Sequence, residues 1–281
     1  MSALLELDHV SKSFSRGGLF STQRVEAVKE VSFALDDGTP EIFTVIGESG
    51  SGKSTLARMI LGIHAPSAGH VRLAGRDVAS YERHAFMAQV QPIFQNPFEA
   101  FNPLKRLDHY LFMTAERFGA AAGRSAAEAR ADEALRQVGL SLAEISGRFP
   151  HELSGGQLQR VAIARALVAK PRLIVADEPV SMVDASLRMS IVNLFGRLRD
   201  ELGLSIIYIT HDLATAYYIS DRLIIMQNGV VVEEGPARAV LSNPTHPYSR
   251  QLRDAVLTPD SAGAFRADHS RKAVATPGAT P

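Results

Sequence analysis

The stretch GESGSGKST, residues 47–55, has the residue types and spacing of a phosphate cradle. It satisfies G-x-x-x-x-G-K-[ST] at Gly47, Gly52, Lys53 and Ser54. Glycines let the backbone wrap round a polyphosphate and aim several N–H groups inward. The positive end of a following helix adds to that field. In such a cradle Lys53 reaches the outer phosphates and the Ser54 hydroxyl ligates Mg²⁺. Glu48, Ser49, Gly50, Ser51 and Thr55 complete the loop and the first turn after it. The competing reading is a chance glycine-rich turn, expected in roughly 1 chain in 100 of ordinary residue usage.

LIVADEP places Asp177 and Glu178 at the C-terminal end of an apolar run. Ligands collect at that end of parallel strands. Asp177 is then placed to hold Mg²⁺ through water, and Glu178 to polarise an attacking water as general base. Alone, Asp-Glu-Pro is equally a solvated turn; a phosphate cradle in the same chain favours the chemical reading. His211 ends the run LSIIYIT in the same way. A lone histidine is more often structural, but this position could aim it at a terminal phosphate. Gln95, in PIFQNPF, has little standing by itself. LSGGQ, residues 153–157, offers a serine and two glycines at the start of a helical pattern. It has the make-up of a second phosphate-binding turn without a lysine.

These residues require particular elements. EIFTVIG before the cradle, RLIVADEP and LSIIYITHD are all-apolar strands, typical of parallel strands buried on both faces. Between the last two, Leu187, Ile191, Leu194, Phe195, Leu198 and Leu202 recur at helical spacing, and Gly203 supplies a stop. The alternation predicts an α/β domain with a largely parallel sheet. Asn228-Gly229 between two β-rich runs predicts a hairpin. From residue 102 to 139 the strand signals vanish and alanine rises, which predicts a mainly helical insertion over about residues 95–156. Ser125 and Glu128 have capping-box spacing there, and Gly139 stands near the end of that pattern. The last residues, from 259, read as a flexible polar tail.

The totals bound the function. The 281 residues suit one large domain or a domain with an inserted subdomain. With 30 basic and 30 acidic residues the formal charge is zero, so electrostatics give no case for nucleic acid as partner. There is no cysteine, which excludes disulfides and thiolate metal sites in this chain. The first residues, MSALLELDHV, lack the basic and apolar regions of a signal peptide. No apolar run approaches the roughly 18 residues that span a bilayer. A membrane role would need another protein to hold the chain there.

In order and spacing these motifs resemble the nucleotide-binding subunit of ABC transporters, over about residues 4–257. The Walker A loop corresponds to residues 47–54, the Q-loop glutamine to Gln95 and the signature to residues 153–157. Walker B corresponds to residues 173–177, followed by Glu178. The D-loop resembles SMVD with Asp184, and the switch histidine is His211. Phe14, in HVSKSFS, matches the aromatic residue that stacks on adenine in this family. The resemblance implies an ABC-type P-loop NTPase core with a mainly parallel sheet, an N-terminal antiparallel β part and an inserted α-helical subdomain. Its parts would be residues 1–94, 95–156, 157–258 and a tail at 259–281.

The resemblance also implies ATP and Mg²⁺ as cofactors, with Ser54, Gln95 and Asp177 at the metal and Glu178, His211 and Gln95 catalytic. Two such domains would pair head to tail around two ATP molecules. Ser154, Gly155, Gly156 and Gln157 would then cap the nucleotide held by the other subunit's cradle. The implied partners are transmembrane permease subunits, a second ATPase subunit of the same or a related chain and, indirectly, a solute-binding protein. The implied place is the cytoplasmic face of the inner membrane.

QPIFQNPFEAFNP and NPTHPYSRQL resemble the oligopeptide/dipeptide/nickel branch of importers. By its chemistry alone NPTHPYS is a proline-stiffened turn. Leu158 stands where that branch usually has a basic residue, and SMVD replaces the commoner SALD. The expectation for Leu158 is an altered surface contact, at the dimer or at the membrane subunit. A non-transport ATPase driving a soluble complex, and a regulatory subunit that binds ATP without turnover, are the alternatives. Intact Glu178 and His211 count against the second.

Overall fold

The computed structural model describes residues 2–16, 23–118 and 123–256. Strands β1 (Ala3–Arg16) and β2 (Gln23–Asp36) form a long antiparallel ribbon. The buried strand β3 (Ile42–Ile46) leads through the phosphate loop into α1 (Lys53–Ile60). The chain then returns to the ribbon as β4 (Ala68–Leu73) and β5 (Arg76–Asp77), completing a sheet of order β2-β1-β4-β5. This is the antiparallel β part expected near the N-terminus.

Helix α2 (Arg83–Gln89) precedes β6 (Val90–Ile93). Three helices follow: α3 (Leu107–Arg117), α4 (Arg124–Gln137) and α5 (Leu142–Ile145). They occupy the alanine-rich stretch, where alanine's high helix propensity and small volume suit close packing. Then come α6 (Gly155–Val168), β7 (Leu173–Asp177), α7 (Ala185–Leu202), β8 (Ser205–Thr210) and α8 (Leu213–Ile219). The hairpin β9 (Arg222–Gln227) and β10 (Val230–Pro236) and helices α9 (Ala237–Ser242) and α10 (Pro247–Val256) complete the described chain.

The second sheet has the order β10-β9-β3-β8-β7-β6, parallel except for the β9–β10 edge. Ile206 faces Ile42 on one side and Ile174 on the other, so the apolar runs pair in register. Helices α6 and α7 pack on one face of this sheet, and α1 with the antiparallel sheet on the other, which explains why β3 and β8 are wholly buried and mostly apolar. Each buried aliphatic side chain contributes about 1.5–3 kcal/mol relative to exposure. Asn228 (φ 51°) and Gly229 (φ 85°) both adopt the left-handed conformation that a two-residue hairpin turn demands. Gly203 (φ 64°) ends α7, and its N–H bonds the Arg199 carbonyl at 3.1 Å.

Three local expectations change. Ser125 and Glu128 form no capping box, because α4 begins at Arg124 after Gly123. The Glu128 carboxylate instead takes Arg124 Nε at 2.6 Å. Capping boxes form at Ser141/Glu144 and at Ser154/Gln157. Leu187 and Leu202, the ends of the α7 stripe, are exposed while its centre is buried. Leu158 makes no surface contact at all: it is fully buried in the core shared by the helical stretch and one sheet face. The predicted tail lies outside the described residues. Among the described residues, no helix is long and apolar enough to cross a membrane.

Candidate functional site

The loop after β3 turns sharply at Gly50 (φ 83°) and Gly52 (φ 105°), conformations that side chains oppose. At Gly52 packing adds a second constraint, since a Cβ there would lie 2.2 Å from the Ala27 carbonyl oxygen. At Gly50 the corresponding space is open. The loop is therefore clamped to β2 on one side and free on the other. Lys53, the first residue of α1, folds back over it. Its Nζ donates to the Gly47 carbonyl at 2.7 Å and to the Glu48 carbonyl at 2.8 Å. Burial lowers the Lys53 pKa from its ordinary value, against the opposing charges of Glu178, Asp177 and Glu48.

Asp177, the last residue of β7, accepts a hydrogen bond from the Ser54 hydroxyl. Burial pushes its carboxyl above the usual range; the Ser54 bond opposes that shift and neighbouring Glu178 reinforces it. The carboxylate is thus short of compensating positive charge. Glu178 follows in a left-handed conformation (φ 46°), which is strained for a side-chain-bearing residue. Its N–H is held by the Ile209 carbonyl at 2.9 Å. Gln95 Nε2 donates to Glu178 Oε2 at 3.1 Å, and His211 Nδ1 lies 3.1 Å from Oε1. The Glu178 side chain is 20% exposed and that of His211 61% exposed.

Of these side chains, all except Asp177, which reaches the site through Ser54, line one cleft of about 640 Å³. The loop from Glu48 to Thr55 lines one wall, and Gln95, Glu178 and His211 stand among the other lining residues. Gln95, Asp177, Glu178 and His211 thus meet the cradle, although 83 residues separate Gln95 from Glu178. The remaining predicted groups lie elsewhere in the chain. Phe14 is not a lining residue; its ring sits edge-on to His64, with centroids 5.7 Å apart, and under Lys12 Nζ at 5.3 Å.

Ser154, Gly155, Gly156 and Gln157 form the start of α6 and do not line this cleft. Ser154 Oγ accepts the Gln157 N–H at 3.2 Å, and Gln157 Oε1 accepts the Ser154 N–H at 3.1 Å. Gly156 packs against Leu187, whose Cδ1 would lie 2.9 Å from a Cβ at that position. Asp184 is the N-cap just before α7, and the preceding turn is tied to the site by Ser181 Oγ, which donates to the Glu178 carbonyl at 3.0 Å.

Sequence reasoning missed the packing behind the cradle. The Gly229 N–H donates to the Ser51 carbonyl at 3.0 Å, and its carbonyl accepts the Lys29 N–H at 2.8 Å. The turn at 228–229 was legible as a hairpin; its lodging between β2 and the cradle was not. The Tyr248 hydroxyl accepts the Glu48 N–H at 3.0 Å across 200 residues of chain.

Residues 28–181 match the family model described as ABC transporter. The chain is 40% identical over 268 residues to a probable peptide ABC transporter ATP-binding protein of Sinorhizobium fredii, covering 93% of this chain and 75% of that one. It is 41% identical over 239 residues to the oligopeptide transport ATP-binding protein OppF of Escherichia coli, covering 84% and 71%. Among solved structures it is similar to an ATP-binding cassette in a dimeric, post-hydrolysis state bound to ADP and Pi. That match has 28% identity and a TM-score of 0.72, and covers 83% of this chain and 99% of the other. The cbiO1 subunit of Clostridium perfringens shares the fold, with a TM-score of 0.74 at 24% identity, covering 94% and 99%.

Proposed function

The chain belongs to the ABC transporter family as an ATP-binding, ATP-hydrolysing subunit, and from that premise we propose that it powers import of peptides or a related small solute. The observation that carries the ATPase reading is Glu178, fixed between Gln95 and His211 opposite the phosphate loop. The relatives named for oligopeptide transport support the solute class.

Lys53 and the N–H groups of the loop bind and orient the outer phosphates. Glu178 accepts a proton from the attacking water as that water approaches the terminal phosphorus. Gln95 and His211 hold the carboxylate in one position, so little reorganisation accompanies the reaction. Ser54, Asp177 and Gln95 would hold Mg²⁺. They supply the oxygen ligands that a hard cation takes, and the undercompensated charge of Asp177 suits one. When bound, the ion neutralises charge on the phosphates.

Ser154, Gly155, Gly156 and Gln157 stand apart from this cleft, and we assign them to the nucleotide of a second ATPase subunit in a head-to-tail sandwich. Phe14 is assigned to the adenine. Closure of the sandwich on ATP and reopening after hydrolysis would drive permease subunits at the cytoplasmic face of the membrane, with a solute-binding protein delivering cargo.

The test is replacement of the chromosomal copy by Glu178→Gln, with uptake of radiolabelled di- to pentapeptides as the readout. We expect uptake to fall to background while the tagged chain still co-purifies with a polytopic membrane protein from native membranes. Normal uptake, or a chain absent from membranes, would favour an ATPase that drives a soluble complex.

A further inference from the structure

The segment NPTHPYS, residues 243–249, takes no part in the chemistry just described. Glu233 on β10 carries it. The Glu233 carboxylate accepts the Thr245 N–H at 2.8 Å, the Thr245 hydroxyl at 3.0 Å and the His246 N–H at 3.2 Å. His246 Nδ1 in turn accepts the Tyr248 N–H at 3.2 Å. This fixes the entry to α10. The Tyr248 ring is buried in a cluster with Ile46 at the end of β3, Leu213 and Ala216 of α8, and Ile225 of β9. Its hydroxyl lies against the phosphate loop and accepts the Glu48 N–H at 3.0 Å.

That N–H belongs to the peptide joining Gly47 to Glu48. In a planar trans peptide the N–H and C=O point to opposite edges. The other edge is the Gly47 carbonyl, which holds Lys53 Nζ at 2.7 Å. One peptide is therefore gripped by Tyr248 on one side and presents its oxygen to the cradle lysine on the other. Glycine at position 47 gives this peptide more rotational freedom than any other residue would. A peptide that rotated away would take Lys53's acceptor with it.

We infer that Tyr248 is a positioning residue for the phosphate cradle, which it sets through the Gly47–Glu48 peptide. Through the buried Tyr248 side chain the turn at 243–249 thereby acts on nucleotide affinity from outside the cleft. The inference rests on the nucleotide-binding reading of that cleft.

The test uses the full chain and compares wild type with Tyr248→Phe, which removes the hydroxyl and keeps the buried ring. Loss of one hydrogen bond is expected to raise the KM for ATP, and the Kd of a fluorescent ATP analogue, about 3- to 10-fold. The kcat should change less than about twofold, because no group touching the reacting atoms is altered. Glu233→Gln, which loosens the anchor, should shift KM in the same direction. The double variant should show less than the product of the two effects, since both act through one peptide. If Tyr248→Phe fails to fold, Glu233→Gln carries the test alone.

Unchanged KM and Kd in Tyr248→Phe, with wild type binding the analogue, would overturn the inference and leave the functional reading intact. No binding by wild type would overturn both. A lowered kcat at unchanged KM would also overturn it, by placing the effect on the chemical step.

Discussion

Glu178 Oε1 and His211 Nδ1 stand 3.1 Å apart, though one follows β7 and the other β8. Gln95, following β6, holds the second oxygen of the same carboxylate at 3.1 Å. Strands β8, β7 and β6 are consecutive in the sheet, so three adjacent parallel strands deliver three side chains in a row at their C-terminal ends. The row lies across the cleft from Lys53. Strand order makes the constellation, and the left-handed Glu178 backbone at its centre (φ 46°) is strain retained at the proposed catalytic position.

Replacing Glu178 by glutamine keeps the shape and removes the proposed base. ATP hydrolysis should fall about 10²- to 10⁴-fold, the usual scale for a general base. ATP binding should persist, because Lys53 and the loop are untouched. Steady-state turnover beside equilibrium binding separates the two quantities, and wild-type turnover would remove Glu178 from the base role.

The proposed metal role of Asp177 sets function against stability. Burial holds its folded carboxyl above the ordinary value of 3.8. Between the ordinary and the raised value the folded chain keeps a proton that the unfolded chain has released. Stability therefore falls as pH rises through that window, and the full cost persists above it. The nucleotide-free Asp177→Asn variant should melt higher than wild type at pH 8. The gap should close as pH falls below the ordinary value. Equal melting at pH 8 would show that the charge is already compensated without a cation.

The phosphate loop, the apolar parallel strands and the Asn228-Gly229 turn were legible because each is written in a few contiguous residues. So was α7, with its buried stripe and Gly203 stop. Ser125 misled because a capping box depends on which residue starts the helix, and Arg124 took the Glu128 carboxylate instead. The Tyr248–Glu48 bond was beyond local reading, since it depends on where α10 docks against a loop 200 residues earlier. Phe14 matched a family position, but its neighbours, Lys12 and His64, follow from how β1 meets the segment after α1.

Leu158 follows the same logic. Its sequence position next to the signature suggested an interface; its burial makes it core. Leu158→Ala should cost about 2–5 kcal/mol in urea unfolding, as expected for a truncated core leucine. The KM for ATP of the folded fraction should be unchanged. A midpoint equal to wild type at the same m-value would place the side chain outside the core.

The signature should act on a second chain's nucleotide, and charge can test this. Gly155 is the first residue of α6, where an added carboxylate favours the helix by about 0.3–1 kcal/mol through its dipole. A Cβ there meets only the Met182 carbonyl oxygen, at an ordinary 3.5 Å. Gly155→Asp should therefore fold normally while repelling a phosphate brought to that helix end. Alone it should bind ATP and fail to hydrolyse it. Lys53→Ala alone should fail to bind. If the chain pairs with a second copy of itself, mixing the two variants gives mixed dimers in which one site joins an intact Lys53 to an intact signature from the other chain. Partial ATPase activity should return on mixing, towards about a quarter of the wild-type rate if subunits pair at random and each intact site works independently. No recovery, with mixed dimers verified by two different tags, would mean that the signature serves its own chain or that both sites must be intact together. Hydrolysis by Gly155→Asp alone at the wild-type rate would remove the signature from the reaction.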